Sequence, residues 1–230
     1  MNTNKRTARI AGVFYLLVGI FGGFAEGYVE PKMYIAGNAA ATASNVVTNS
    51  GLVRMGVVAD LLDQTFFVFL ALSLYTLLKD FHKPMARAML LFVILAAGIG
   101  CLNAVFEFEG LQVATGAVNF GLGTSNSVVL LLLDAQHYGL LTAQIFFGLW
   151  LAPLGYLAIK SGWFPKSLGV LLIIGTVCYL IDFLAAFAMP EFSNAIHGFI
   201  TIPSAIAEIW MVFYLLVVGV RTPKTSANPI

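Results

Sequence analysis

Six apolar runs of membrane-spanning length leave this chain one solvent to fold in. They lie near Ala8–Tyr28, Leu52–Leu78, Ala86–Phe106, Ala135–Ile159, Lys166–Ala188 and Phe199–Val220. A bilayer core requires about twenty apolar residues per helix. Inside it the backbone has no water to bond, so such runs must close their own hydrogen bonds as helices. Hydrophobic residues make up 60% of the chain and charged residues 10%. Soluble domains sit nearer about 45–50% and about 25%. The predicted fold class is therefore all-α: a polytopic membrane protein of six transmembrane helices. Residues 1–221 read as a single six-span domain and 222–230 as a short cytoplasmic tail. The stretch Val128–Leu133 either lengthens the fourth span or forms a short surface helix.

Lys and Arg set the expected orientation. Lys5, Arg6 and Arg9 precede the first span; its run is too long for a signal peptide and shows no small-residue cleavage site, so it is read as retained. Lys79, Lys83 and Arg87 separate spans two and three, Lys160 and Lys166 separate four and five, and Arg221 and Lys224 follow six. In an alternating topology all of these share one side, leaving only Lys32 and Arg54 opposite. Both termini are thus expected in the cytoplasm and the protein in the cytoplasmic membrane. A net charge of +1 offers nothing to nucleic acid. The two cysteines, Cys101 and Cys178, fall within apolar runs and are expected to pack there rather than to bridge. Glu30–Ser50 reads as an outer loop with a short surface helix, and Gly110–Ser127 as a second outer loop.

The acids are distributed unlike the bases. Asp80 alone lies in an inner loop; every other acid falls in the outer half of a span or beyond it. Charges at membrane depth are expensive and face protein or trapped water. Helical spacing sorts them. Span two carries Asp60, Asp63 and Gln64; span three carries Asn103 and Glu107; span four carries His137 and Gln144, with Asp134 one turn above. Span five offers Tyr179 and Asp182. Span six places His197, Thr201, Ser204 and Glu208 on one stripe. Span one ends on Glu26, with Gly19, Gly23 and Gly27 as a close-packing face. The predicted ligand-binding cavity opens outward and is lined by Asp60, Asp63, Gln64, Asn103, His137, Gln144, Asp182, His197, Ser204 and Glu208. Arg54 is the candidate counter-charge, paired with Glu26 or Glu107. Pro153 and Pro203 mark expected kinks.

Gln64-Thr-Phe-Phe and Gln144-Ile-Phe-Phe each open a run that ends at a lysine and then a proline. Spans two–three and four–five therefore read as two copies of one helical hairpin, an internal repeat.

Three uses fit such a cavity. It binds or moves a small molecule, ion or lipid, with the bilayer as the other partner. Alternatively, histidines and carboxylates hold a metal for intramembrane hydrolysis, or two histidines ligate haem. In the third, the acids only hold a sensor or structural bundle together. No HExxH, nucleophile motif or phosphate loop is present. No cofactor is specified, and oligomeric state stays open.

The run Ile145–Leu172, IFFGLWLAPLGYLAIKSGWFPKSLGVLL, with Tyr179-Leu-Ile-Asp182, Arg9-Ile-Ala-Gly-Val-Phe-Tyr15 and Glu208-Ile-Trp210, resembles a bacterial multi-pass membrane family catalogued only as a domain of unknown function. The resemblance covers nearly the whole chain. It implies about six spans in a bacterial cytoplasmic membrane and no established activity. It also leads one to expect His where this chain has Trp150, so no shared metal or haem ligand is implied there.

Overall fold

A computed structural model describes residues 3–118 and 120–221. The expected tail after residue 221 lies outside them. Among the described residues the chain is 88% helix with no strand, and six helical segments are long and apolar enough to cross a membrane. These are Thr3–Met33, Ser50–Leu78, Lys83–Ala114, Gly123–Ser161, Lys166–Ala188 and Pro190–Val217.

The first segment is composite. Helix α1 (Thr3–Phe24) runs into a π-helical turn, Ala25–Val29, and then into α2 (Glu30–Met33). A π turn bonds i to i+5 and so holds one residue more than an α turn. Glu26 sits inside it. Helix α3 (Ala39–Thr48) follows, capped where the Asn38 side chain accepts from the Ala41 N–H at 3.0 Å. This is the surface helix expected in the first outer loop.

Helices α4 (Ser50–Leu78) and α5 (Lys83–Ala114) are joined by a tight turn. Helix α5 extends further than the sequence implied, and α6 (Leu122–Leu149) starts earlier. The Gly110–Ser127 loop shrinks to the few residues between them. Val128–Leu133 belongs to α6. The glycines and serines there read as loop, yet they sit in the end turns of long helices. The remaining turn uses Gly116 and Gly121, both at positive φ (81° and 86°).

Pro153 and Pro203 do what proline does to a helix. Each lacks the N–H that would bond the carbonyl four residues back. The fourth span breaks at Trp150 between α6 and α7 (Leu151–Ser161), and the sixth at Thr201 between α9 (Pro190–Ile200) and α10 (Ile202–Val217). Helix α8 (Lys166–Ala188) follows Gly162, whose left-handed φ of 65° ends α7.

The chain forms two compact units. The first is Tyr15–Val68 with Ile94–Gln144; the second is Met1–Phe14, Phe69–Val93 and Ile145–Ile230, as far as its described residues go. The first unit has a core of Val29, Met33, Val46, Val53, Leu111 and Leu133 with smaller neighbours. In the second, α7 and α8 approach at a glycine pair: a Cβ on Gly155 would lie 2.5 Å from the Gly169 carbonyl oxygen. Gly12 of α1 packs in the same way on α10, where a Cβ would meet the Leu216 nitrogen at 2.9 Å.

Two packing expectations are corrected. Gly19, Gly23 and Gly27 do not form a face against the rest of the chain; a Cβ on any of them would meet nothing within 4 Å. Cys178 is buried, but Cys101 is exposed. On a spanning helix such a face is the one offered to lipid.

Candidate functional site

The first unit holds a polar cluster built from four helices. Asp60, Asp63 and Gln64 share one face of α4 at i, i+3 and i+4; Asn103 and Glu107 lie one turn apart on α5. Asp63, Gln64, Asn103 and Glu107 are 6%, 4%, 6% and 2% exposed, and Asp60 is half-buried. The Gln64 Nε2 donates to Asp63 Oδ2 at 2.8 Å.

Four glycines make the room. A Cβ at Gly22 of α1 would sit 3.4 Å from Asp63 Oδ1, and one at Gly56 of α4 would sit 3.2 Å from Glu107 Oε1. At Gly100 of α5 it would overlap the Gln64 amide, and at Gly139 of α6 the Asn103 amide. Each of the four buried polar side chains thus points at a glycine on a neighbouring helix.

The cluster's hydrogen bonding does not close internally. Asp63 Oδ1, Gln64 Oε1, Glu107 Oε1 and Asn103 Nδ2 are buried without a hydrogen-bond partner. An unsatisfied buried polar atom costs about 1–3 kcal/mol, and such atoms are rare enough in native proteins to need a reason. Three of these four are acceptors. The shortage is one of donors.

A second polar set lies in the same unit. His137 Nδ1 pairs with Glu30 Oε1 at 3.1 Å, and the Tyr34 hydroxyl donates to Asp134 Oδ1 at 2.6 Å. The Tyr34 and His137 rings stack, with centroids 5.4 Å apart. Burial, reinforced by the bond to Asp134, pushes the Tyr34 phenol above its ordinary pKa. Tyr34 was not singled out in the sequence; an aromatic hydroxyl in a loop carries no spacing signal. His137, expected to line the cavity, bonds to Glu30. Gln144, the last residue of this unit, buries its Oε1 without a partner.

Arg54 is exposed and forms no ion pair among the described residues, neither with Glu26 nor with Glu107. It stands instead at an apolar groove whose other walls are Ile20, Phe21, Phe24, Met55, Val58, Ala59 and Leu62.

In the second unit the predicted residues are paired. Asp182, only 1% exposed, takes both its oxygens to His197 Nδ1 at 3.0 Å. The Tyr179 hydroxyl donates to Glu208 Oε1 at 3.0 Å, and buried Ser204 donates to the Thr201 carbonyl at 2.7 Å. The stripe of span six is thus engaged, although α9 and α10 break at Thr201.

Among the described residues no three of His, Cys, Asp and Glu are grouped to hold a metal ion. The geometry needed for metal-assisted hydrolysis is not assembled by them.

Residues 10–219 match the family described as Domain of unknown function (DUF4386). An uncharacterized protein of Archaeoglobus fulgidus is 27% identical over 162 residues, which is 70% of this chain and 82% of that protein. No solved structure matches.

Proposed function

The chain belongs to the DUF4386 family, and for this member we propose that the buried carboxylate–amide cluster of Asp60, Asp63, Gln64, Asn103 and Glu107 binds a small hydrogen-bond-donating ligand, such as an ammonium ion, within the bilayer. One observation carries the reading: three buried acceptors and a single buried donor without partners in one cluster. A ligand rich in donors meets that demand; an anion or an apolar molecule does not. Carboxylates held inside a membrane are the usual means of binding and relaying ions. Four glycines support the same reading, because they leave polar side chains room to move within a dense helical interface.

The distribution of Lys and Arg supports both termini on the cytoplasmic side of the cell membrane. Helices α1, α4, α5 and α6 each supply residues to both compact units, which supports one membrane domain over residues 1–221.

The test is ligand-dependent stability. Purified protein in detergent is heated with ammonium and small alkylammonium ions in turn, with Na⁺ as the control that donates no hydrogen bond. At a concentration of a hundred times Kd, binding adds about 2.7 kcal/mol. The expected result is stabilisation by at least one cation, lost when Asp63→Asn and Glu107→Gln are combined. Equal responses of native and variant protein would end the reading. Flux of the responding cation into proteoliposomes then separates transport from sensing.

A further inference from the structure

Arg54 and its groove lie outside the polar cluster and raise a separate question. The groove, about 510 Å³, runs between α1 and α4, a size typical of sites for small organic molecules. Its α4 wall is Arg54, Met55, Val58, Ala59 and Leu62, one stripe of the helix; its α1 wall is Ile20, Phe21 and Phe24. Phe21 is held in place by stacking on Phe66, with centroids 5.8 Å apart and planes 6° from parallel. Phe24 stacks on Tyr28 at 5.7 Å.

The groove is polar at one end only. Arg54 is the fifth residue of α4, so its Cα sits about 6 Å from the helix end, and Leu62 about 12 Å deeper. A helix of this length that crosses a bilayer carries its fifth residue near the headgroups and the deeper floor in the hydrocarbon. Among the described residues this guanidinium pairs with no acid. It presents a planar fork of donors, the shape that takes a phosphate by two hydrogen bonds.

We propose that this groove holds one acyl chain of an anionic glycerophospholipid, with its phosphate on the Arg54 guanidinium. The amphiphile's polarity matches that of the groove along its whole length. A soluble phosphate lacks the tail, and a neutral lipid lacks net charge to balance the arginine.

The experiment is lipid titration of the full-length purified protein, read by native mass spectrometry. Phosphatidylglycerol is compared with phosphatidylcholine of the same chains, and sn-glycerol 3-phosphate serves as a soluble competitor. The expected result is about tenfold tighter binding of phosphatidylglycerol, because phosphatidylcholine offers the same phosphate but its quaternary ammonium cancels the net charge and repels the arginine. Arg54→Gln is expected to erase that preference while leaving weak binding of both lipids. Val58→Trp, which fills the floor and leaves the cation, is expected to weaken both lipids together. Glycerol phosphate is expected to compete poorly. Equal affinity for the two lipids in the native protein overturns the proposal. So does an Arg54→Gln variant that keeps the preference, or effective competition by glycerol phosphate. If Arg54→Gln does not fold, Arg54→Lys retains charge without the fork and should reduce the preference partially; an unchanged preference there again counts against a bidentate phosphate.

Discussion

The two compact units treat buried polarity in opposite ways. In the second, Asp182 meets His197, Tyr179 meets Glu208 and Ser204 meets a backbone carbonyl. In the first, Asp63, Gln64, Asn103 and Glu107 are as deeply buried, yet each leaves an atom unbonded. Both sets consist of the residue types that hydropathy flags as costly. What separates glue from a site is whether the chain itself satisfies them. A satisfied network contributes rigidity, while an unsatisfied one leaves free energy for something else to recover.

The comparison breaks first at the glycines, where the largest effect is expected. Gly155 faces backbone, which cannot swing aside, whereas Gly100 faces the Gln64 amide, which can. Gly155→Ala should cost about 3 kcal/mol, at the upper end for overpacking, and Gly100→Ala clearly less. Unfolding in graded SDS measures both, and equal costs would mean the Gln64 side chain has no freedom. Next comes Asp182→Leu. It removes a buried charge-assisted bond and should cost about 2 kcal/mol, with His197 left to water. Asn103→Leu is the opposed case. It removes a buried donor that bonds to nothing, so stability should hold or rise by about 1 kcal/mol. A loss comparable to that of Asp182→Leu would place Asn103 among the satisfied groups and erase the contrast.

A smaller effect is expected at Tyr34. Tyr34→Phe deletes the bond to Asp134 and should cost about 1 kcal/mol near neutral pH. The sign of its pH dependence follows from the raised phenol. A group whose folded pKa lies above its unfolded value stabilises fully below the unfolded value, about 10 for tyrosine. That contribution declines as pH climbs past it. Native protein should therefore lose stability above about pH 10 more steeply than the Tyr34→Phe variant. Identical alkaline limbs would remove Tyr34 from the account.

Six spans were legible because length and apolarity alone determine them. Spacing at i, i+3 and i+4 put Asp63 and Gln64 on one face and singled out Asn103, while Glu107 was read as a partner for Arg54. The glycines were not legible. A four-residue glycine rhythm pointed to Gly19, Gly23 and Gly27, whereas Gly22, Gly56, Gly100 and Gly139 actually receive side chains. The partner of each lies on another helix, so no local pattern betrays it. Arg54 failed for a related reason: a basic residue near acids invites pairing, and only three-dimensional placement shows that its neighbours are phenylalanines. The loop at Gly110–Ser127 was overestimated because glycine and serine mark loops in water but sit readily in the ends of membrane helices.

The π turn at Ala25–Val29 acts as a register pin. Its surplus residue rotates all that follows by about 100° relative to an uninterrupted α-helix. Only in that rotated setting do Glu30 and Tyr34 reach His137 and Asp134 on α6. Deleting a single amino acid between positions 25 and 29 would thus shorten the span by hardly more than an ångström while uncoupling two helices far apart in the chain.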